Sequence, residues 1–85
     1  MNNTLEKKDV KKSYHVNGKL KELIEFNSNH KRNGNTYVWT PDGNMSYRCQ
    51  YINGVKDGHE IRFDNGIEKS NYYYKRGKGN KDKCY

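Results

Sequence analysis

GNTYVWTPDGNMSYRCQYINGVKDGHEIRFDNGIEKSNYYYKRGKG, residues 34–79, is punctuated by glycines that follow Asn or Asp and by aromatic residues at recurring distances from them. Across the whole chain Asn-Gly stands at 17–18, 33–34, 53–54 and 65–66, and Asp-Gly at 42–43 and 57–58. These dipeptides supply the positive φ angles of tight β-hairpin corners when alternating apolar residues flank them. With Gly18, Gly43 and Gly66 as anchors, an aromatic residue follows eight positions later each time, at Phe26, Tyr51 and Tyr74. Three positions further stand Asn29, Gly54 and Gly77, and Asn is the best replacement for Gly in a left-handed corner, so Asn29 is expected to take that conformation. A second aromatic residue, Tyr14, Trp39 or Phe63, precedes each anchor.

The anchors are 25 and then 23 residues apart, which defines about two and a half copies of a repeat spanning 14–79. Periods of this length mark stacked supersecondary units. Within each unit the residues between anchor and aromatic alternate as a strand does: Leu20, Glu22, Ile24, Phe26 in the first copy and Met45, Tyr47, Cys49, Tyr51 in the second. The third copy reads Glu68, Ser70, Tyr72, Tyr74, so its apolar face fades toward the start. Shorter strands are expected over 35–40 and 59–63, with Tyr37 and Trp39 on one face and Ile61 and Phe63 on the matching one. KLKELIEF at 19–26 has Leu20, Leu23 and Ile24 at helical spacing, but register with the two later copies makes it a strand. Residues 1–13 are read as a basic N-terminal arm with two alternatives open, a solvated arm or a short helix over 3–12 started by Asn3 and Glu6 as a capping box. Residues 80–85 form a Lys-rich C-terminal tail.

The order of glycines and aromatics resembles MORN repeats, and more closely their YwqK-type variant, found in proteins described as antitoxin components. The resemblance covers about three quarters of the chain and is best over residues 34–79, with the pattern of aromatic, turn Gly, long strand, Tyr, x-x-Gly, three residues and Gly. Copy one departs from it, having Asn29 where a turn Gly is expected and one extra residue before Gly34. The resemblance implies an all-β protein, a single-layer antiparallel β-meander of hairpin repeats with short charged tails, and no catalytic residue.

Composition bounds the function. The 85 residues include only 13 Leu, Ile, Val and Phe and no Ala, and the mean hydropathy is −1.41. Eight Tyr and one Trp must therefore supply most of the large buried area. The net charge of +7 lies mainly at the ends: +2 over residues 1–13, +4 over 75–85, and +1 between them. No apolar run approaches a membrane span, and MNNTLEKKDVKK has no apolar core of a secretory signal. Cytoplasmic location is expected, or the virion or host cytoplasm for a viral protein.

Cys49 and Cys84 belong to no Cys/His cluster, and His15, His30 and His59 show no ligand spacing, so no metal, cofactor or small-molecule substrate is expected. Cys49 is expected to be a buried, unreactive thiol. A one-layer ribbon has apolar residues enough for one face, which points to a protein partner or self-association. The first functional reading is a non-enzymatic interaction or scaffolding module in a larger assembly, a cellular complex or a virus particle. The second, implied by the resemblance alone, is an antitoxin acting by binding a toxin. In the third, the basic tails bind anionic membrane or nucleic acid. Candidate contact residues are Tyr47, Tyr72, Tyr73, Lys75, Arg76 and Lys78, with Tyr73 expected on the face opposite its two neighbours and exposed.

Overall fold

The computed structural model describes residues 9–80. Seven strands, β1 (Asp9–Tyr14), β2 (Leu20–Phe26), β3 (Arg32–Trp39), β4 (Met45–Ile52), β5 (Val55–Asp64), β6 (Ile67–Lys75) and β7 (Lys78–Asn80), pair antiparallel in chain order. The single-layer antiparallel meander that the resemblance implies is what forms, with hairpins between successive strands as the glycine pattern leads one to expect. Its extents of 44 × 37 × 16 Å are those of one sheet without a covering layer. Among the described residues there is no helix, so none is long and apolar enough to cross a membrane.

Two kinds of corner alternate with the local sequence. Asn53-Gly54, Asn65-Gly66 and Arg76-Gly77 have positive φ at both positions (49° and 89°, 53° and 80°, 52° and 86°), the two-residue turn whose twist suits a hairpin. The β1–β2, β2–β3 and β3–β4 connections are longer, spanning residues 15–19, 27–31 and 40–44, and each holds a single left-handed residue: Gly18, His30 and Gly43. In the β3–β4 loop, Pro41 follows Thr40 and pre-sets the turn that closes with Gly43 N–H donating to the Thr40 carbonyl at 2.9 Å. The left-handed residue of the β2–β3 loop is His30 (φ 63°), not Asn29. The extra residue of the first copy is the cause. It lengthens that corner, so the position that must turn left-handed moves on by one, and Asn27 N–H closes the loop on the Lys31 carbonyl at 2.9 Å.

Two boundaries also move. Among the described residues the sheet already runs from Asp9, ahead of Tyr14, because Asp9–Ser13 pairs along β2, with Val10 opposite Glu25 and Lys11 opposite Ile24. Residues 9–12 are therefore strand rather than helix, and 3–8 lie outside the described residues. At the other end β7 reaches Asn80, and the rest of the expected tail, 81–85, lies outside them too. β3 and β5 are longer than expected because Gly34 and Gly58 sit inside these strands, not before them. Each is part of a bulge where the register slips, opposite Glu25 and Gln50 respectively.

Hydrogen bonds between non-adjacent corners set the spacing of the units. On one end Gly54 N–H donates to the Arg32 carbonyl at 2.8 Å, and the equivalent Gly77 N–H donates to the Lys56 carbonyl at 2.7 Å. Asn27 Nδ2 donates to Asn53 Oδ1 at 2.8 Å, and Asn53 N–H to Asn33 Oδ1 at 2.9 Å. At the opposite end His15 Nε2 donates to the Trp39 carbonyl at 2.8 Å and Asn17 Nδ2 to the Pro41 carbonyl at 3.0 Å.

Candidate interaction site

Register places one row of residues side by side across the sheet: Lys11, Ile24, Thr36, Cys49, Glu60 and Tyr72. Its centre is buried, with Ile24 4%, Thr36 2%, Cys49 0% and Glu60 3% exposed. Among the described residues no second layer covers this row. Long side chains from the same face do so, because Tyr47 and Arg62 stand on one side of it and Tyr51, Lys56 and Tyr74 on the other.

Glu60 is the point on which they converge. Tyr47 Oη donates to its Oε2 at 2.8 Å, Lys56 Nζ to the same oxygen at 2.7 Å, and Tyr74 Oη to Oε1 at 3.1 Å. Arg62 Nη2 lies 3.7 Å from Oε2. A buried carboxylate without partners would be expelled or protonated; this one is surrounded by donors. Burial pushes the Glu60 carboxyl up, but Lys56 and the two tyrosine hydroxyls outweigh it and hold the group below the usual carboxylate range. The hydrogen bond to Glu60 raises the Lys56 ammonium. Burial, then the bond to Glu60, pushes the Tyr47 phenol far above its ordinary range, and burial with the Glu60 charge raises Tyr74. Burial raises the Cys49 thiol as well, so it rests as an unreactive thiol.

Cations lie over the rings that enclose this centre: Arg62 over Tyr47 at 4.9 Å, Lys56 over Tyr74 at 4.8 Å and Arg32 over Tyr51 at 5.3 Å. The last two are one device repeated, since Arg32 and Lys56 each stand two residues before a bulge glycine, Gly34 or Gly58. That spacing was visible in the sequence and marks the cations as partners of the repeat tyrosines.

The opposite face carries the row Lys12, Leu23, Tyr37, Arg48, Ile61 and Asn71. Here Tyr37 and Trp39 stack at 5.6 Å, and Tyr73 meets the edge of His59 at 5.1 Å. His59 is oriented by Asn71 Oδ1 at 2.9 Å from Nδ1. The sequence placed Tyr37 with Trp39 and Ile61 with Phe63 on matching faces; Tyr37, Trp39 and Ile61 lie so, but a register slip after Arg62 sets Phe63 beside Tyr47 and Arg62 instead.

The six candidate contact residues do not form one site. Tyr47 and Tyr72 lie on the Glu60 face and Tyr73 on the other, while Lys75, Arg76 and Lys78 form the exposed β6–β7 hairpin. Tyr73 is exposed at 37%, although Tyr14 at 58% is more so. Tyr47 is engaged with Glu60 rather than free for a partner. An open depression of about 540 Å³ is lined by Val38, Ser46, Tyr47, Arg62 and Phe63, which include no His, Cys or carboxylate. Among the described residues no group of three His, Cys, Asp or Glu is placed to hold a metal ion. Comparison with protein-family models, with curated proteins and with solved structures finds no match to the chain.

Proposed function

We propose that the chain is a non-enzymatic interaction module that docks into a larger assembly through the sheet face carrying Tyr37, Trp39 and Tyr73. The observation that carries this reading is a one-layer sheet whose buried apolar residues, among those described, are Ile24, Cys49 and Ile61. The Glu60 face is closed by its own tyrosines, lysine and arginine. The Trp39 face carries the stacked Tyr37 and Trp39 rings and the exposed Tyr73 beside His59, and rings of this kind dominate protein interfaces. The resemblance to MORN repeats supports a module of this type; the antitoxin reading rests on that resemblance alone. Gel filtration with light scattering on the pure protein, and on mixtures with proteins co-purified from its native source, tests the reading. Trp39→Ala and Tyr73→Ser should weaken association while leaving the far-ultraviolet spectrum intact. Association that survives both substitutions, or a stable monomer that takes up no partner, argues against this face.

One observation favours a second reading. Lys75 and Lys78 are directly paired across the β6–β7 hairpin, with Arg76 between them in the turn. Like charges opposite one another destabilise a sheet, and an anionic partner would relieve this. Binding of nucleic acid or anionic vesicles there should lose its salt dependence when all three residues are replaced by Gln; an unchanged slope rejects it.

A further inference from the structure

The four Asn-Gly dipeptides are chemically alike in sequence, yet the fold treats one of them differently. Asn17 is tied twice, its Oδ1 accepting Lys19 N–H at 2.9 Å and its Nδ2 donating to the Pro41 carbonyl, while Gly18 N–H donates to His15. Asn53 Oδ1 accepts from Asn27, and Gly54 N–H is held by the Arg32 carbonyl. Asn33 Oδ1 accepts Asn53 N–H, and Gly34 lies within β3 paired to Tyr51. Asn65 and Gly66 form the β5–β6 corner, where both residues are exposed. Among the described residues, neither the Asn65 carboxamide nor the Gly66 N–H has a hydrogen-bond partner.

We infer that Asn65 is a site of spontaneous covalent modification, converting to aspartate and isoaspartate in the folded protein. The Gly66 nitrogen gives up its proton to water and attacks Asn65 Cγ. A new C–N bond closes a five-membered succinimide as the Cγ–Nδ2 bond breaks and ammonia leaves. Water then opens the ring at either carbonyl, leaving a carboxylate on an aspartyl or an isoaspartyl residue. No oxidant, metal or enzyme is required. Gly66 has no Cβ to obstruct the attack, whereas at the other three dipeptides the carboxamide, the attacking nitrogen or both must first break hydrogen bonds. The isoaspartyl product adds a methylene to the backbone of a two-residue turn and a negative charge beside Asp64. Its effect passes directly to β5 and β6, which carry Glu60 and Tyr74.

Trypsin separates the four dipeptides onto peptides 13–19, 33–48, 49–56 and 63–69, and Asn65 is the sole carboxamide residue of the last. The full chain is aged at neutral pH and body temperature, then digested, and conversion is read as a gain of about 1 Da per site. Isoaspartate is confirmed by methyl transfer from S-adenosylmethionine with an isoaspartyl methyltransferase. In the folded protein, peptide 63–69 should convert about tenfold faster than each of the other three, and in urea the four rates should fall within about threefold of one another. Equal rates in the folded protein, or fastest conversion at Asn17, Asn33 or Asn53, overturn the inference. A tenfold preference for Asn65 that persists in urea overturns it too, since the fold would then not be its cause.

Discussion

The side chain of Gln50 fills the volume that a Cβ on Gly58 would occupy, with its Cδ 2.8 Å from that position, while its Oε1 accepts His59 N–H at 2.9 Å. Glu25 stands in the same relation to the previous bulge, its Oε1 accepting Asn35 N–H at 2.7 Å beside Gly34. A polar side chain thus satisfies the amide that each bulge frees, and it reaches that amide because the bulge residue has no side chain.

Gly58→Ala therefore meets both a φ of 114° and a filled space. Gly43→Ala, at a φ of 94° with nothing within 4 Å, meets only the first. Urea unfolding should show a loss of about 1 kcal/mol for Gly43→Ala and about 2–3 kcal/mol for Gly58→Ala. Equal losses would mean that Gln50 moves aside freely.

Removing the Glu60 carboxylate leaves Lys56 and two phenols without their acceptor. Glu60→Ala should cost about 3–5 kcal/mol, a large part of the stability of so small a domain, and Glu60→Gln less because it keeps one acceptor oxygen. Denaturant midpoints rank the two. A cost under about 1 kcal/mol for Glu60→Ala would show that the cluster contributes no more than an exposed ion pair.

The pH dependence follows from the same cluster. Glu60 titrates lower in the folded chain than unfolded, so its stabilisation is present above the unfolded value of about 4.3 and is lost as pH falls through the folded one. Lys56, Tyr47 and Tyr74 titrate higher when folded, so theirs is present below about pH 10 and is lost as pH rises beyond it. Urea midpoints should form a plateau between about pH 5 and pH 9.5 and fall on both sides. In Glu60→Gln the acid limb should flatten.

Thr36 lies in the buried row between Ile24 and Cys49, and its hydroxyl has no hydrogen-bond partner. Thr36→Val keeps the shape and removes the unsatisfied group, so it should stabilise the fold by about 1–2 kcal/mol. A destabilising result would mean that a water reaches this hydroxyl.

His30 holds a φ of 63°, a conformation that disfavours residues with a Cβ. His30→Gly should raise the unfolding free energy by up to about 1 kcal/mol, where a glycine in most exposed loops would lower it. Thermal melts of the two proteins decide the sign.

Corners were the most legible feature, because a positive φ is a local demand that Asn-Gly meets in any fold. Asn53-Gly54 and Asn65-Gly66 turn where expected, and the strands between corners follow, Leu20–Phe26 among them despite its helical spacing. Asn33-Gly34 and Asp57-Gly58 have the same local signal but sit in bulges, since positive φ serves both uses and the choice depends on the strand opposite. β1 was hidden because DVKKSY has too few apolar residues to declare itself, and its partner strand recruits it.

The residues alone settled hairpin corners joined by strands, and the alternation that puts Tyr73 opposite Tyr72 and Tyr74, because both follow from backbone dihedrals and the two-residue period of a strand. Tertiary structure alone decided that Glu60 is buried with Lys56, Tyr47 and Tyr74, and that Asn65 is left unheld while Asn17, Asn33 and Asn53 are tied. Those outcomes depend on which strands and corners become neighbours in space, and contact across the sheet is not encoded at any single position.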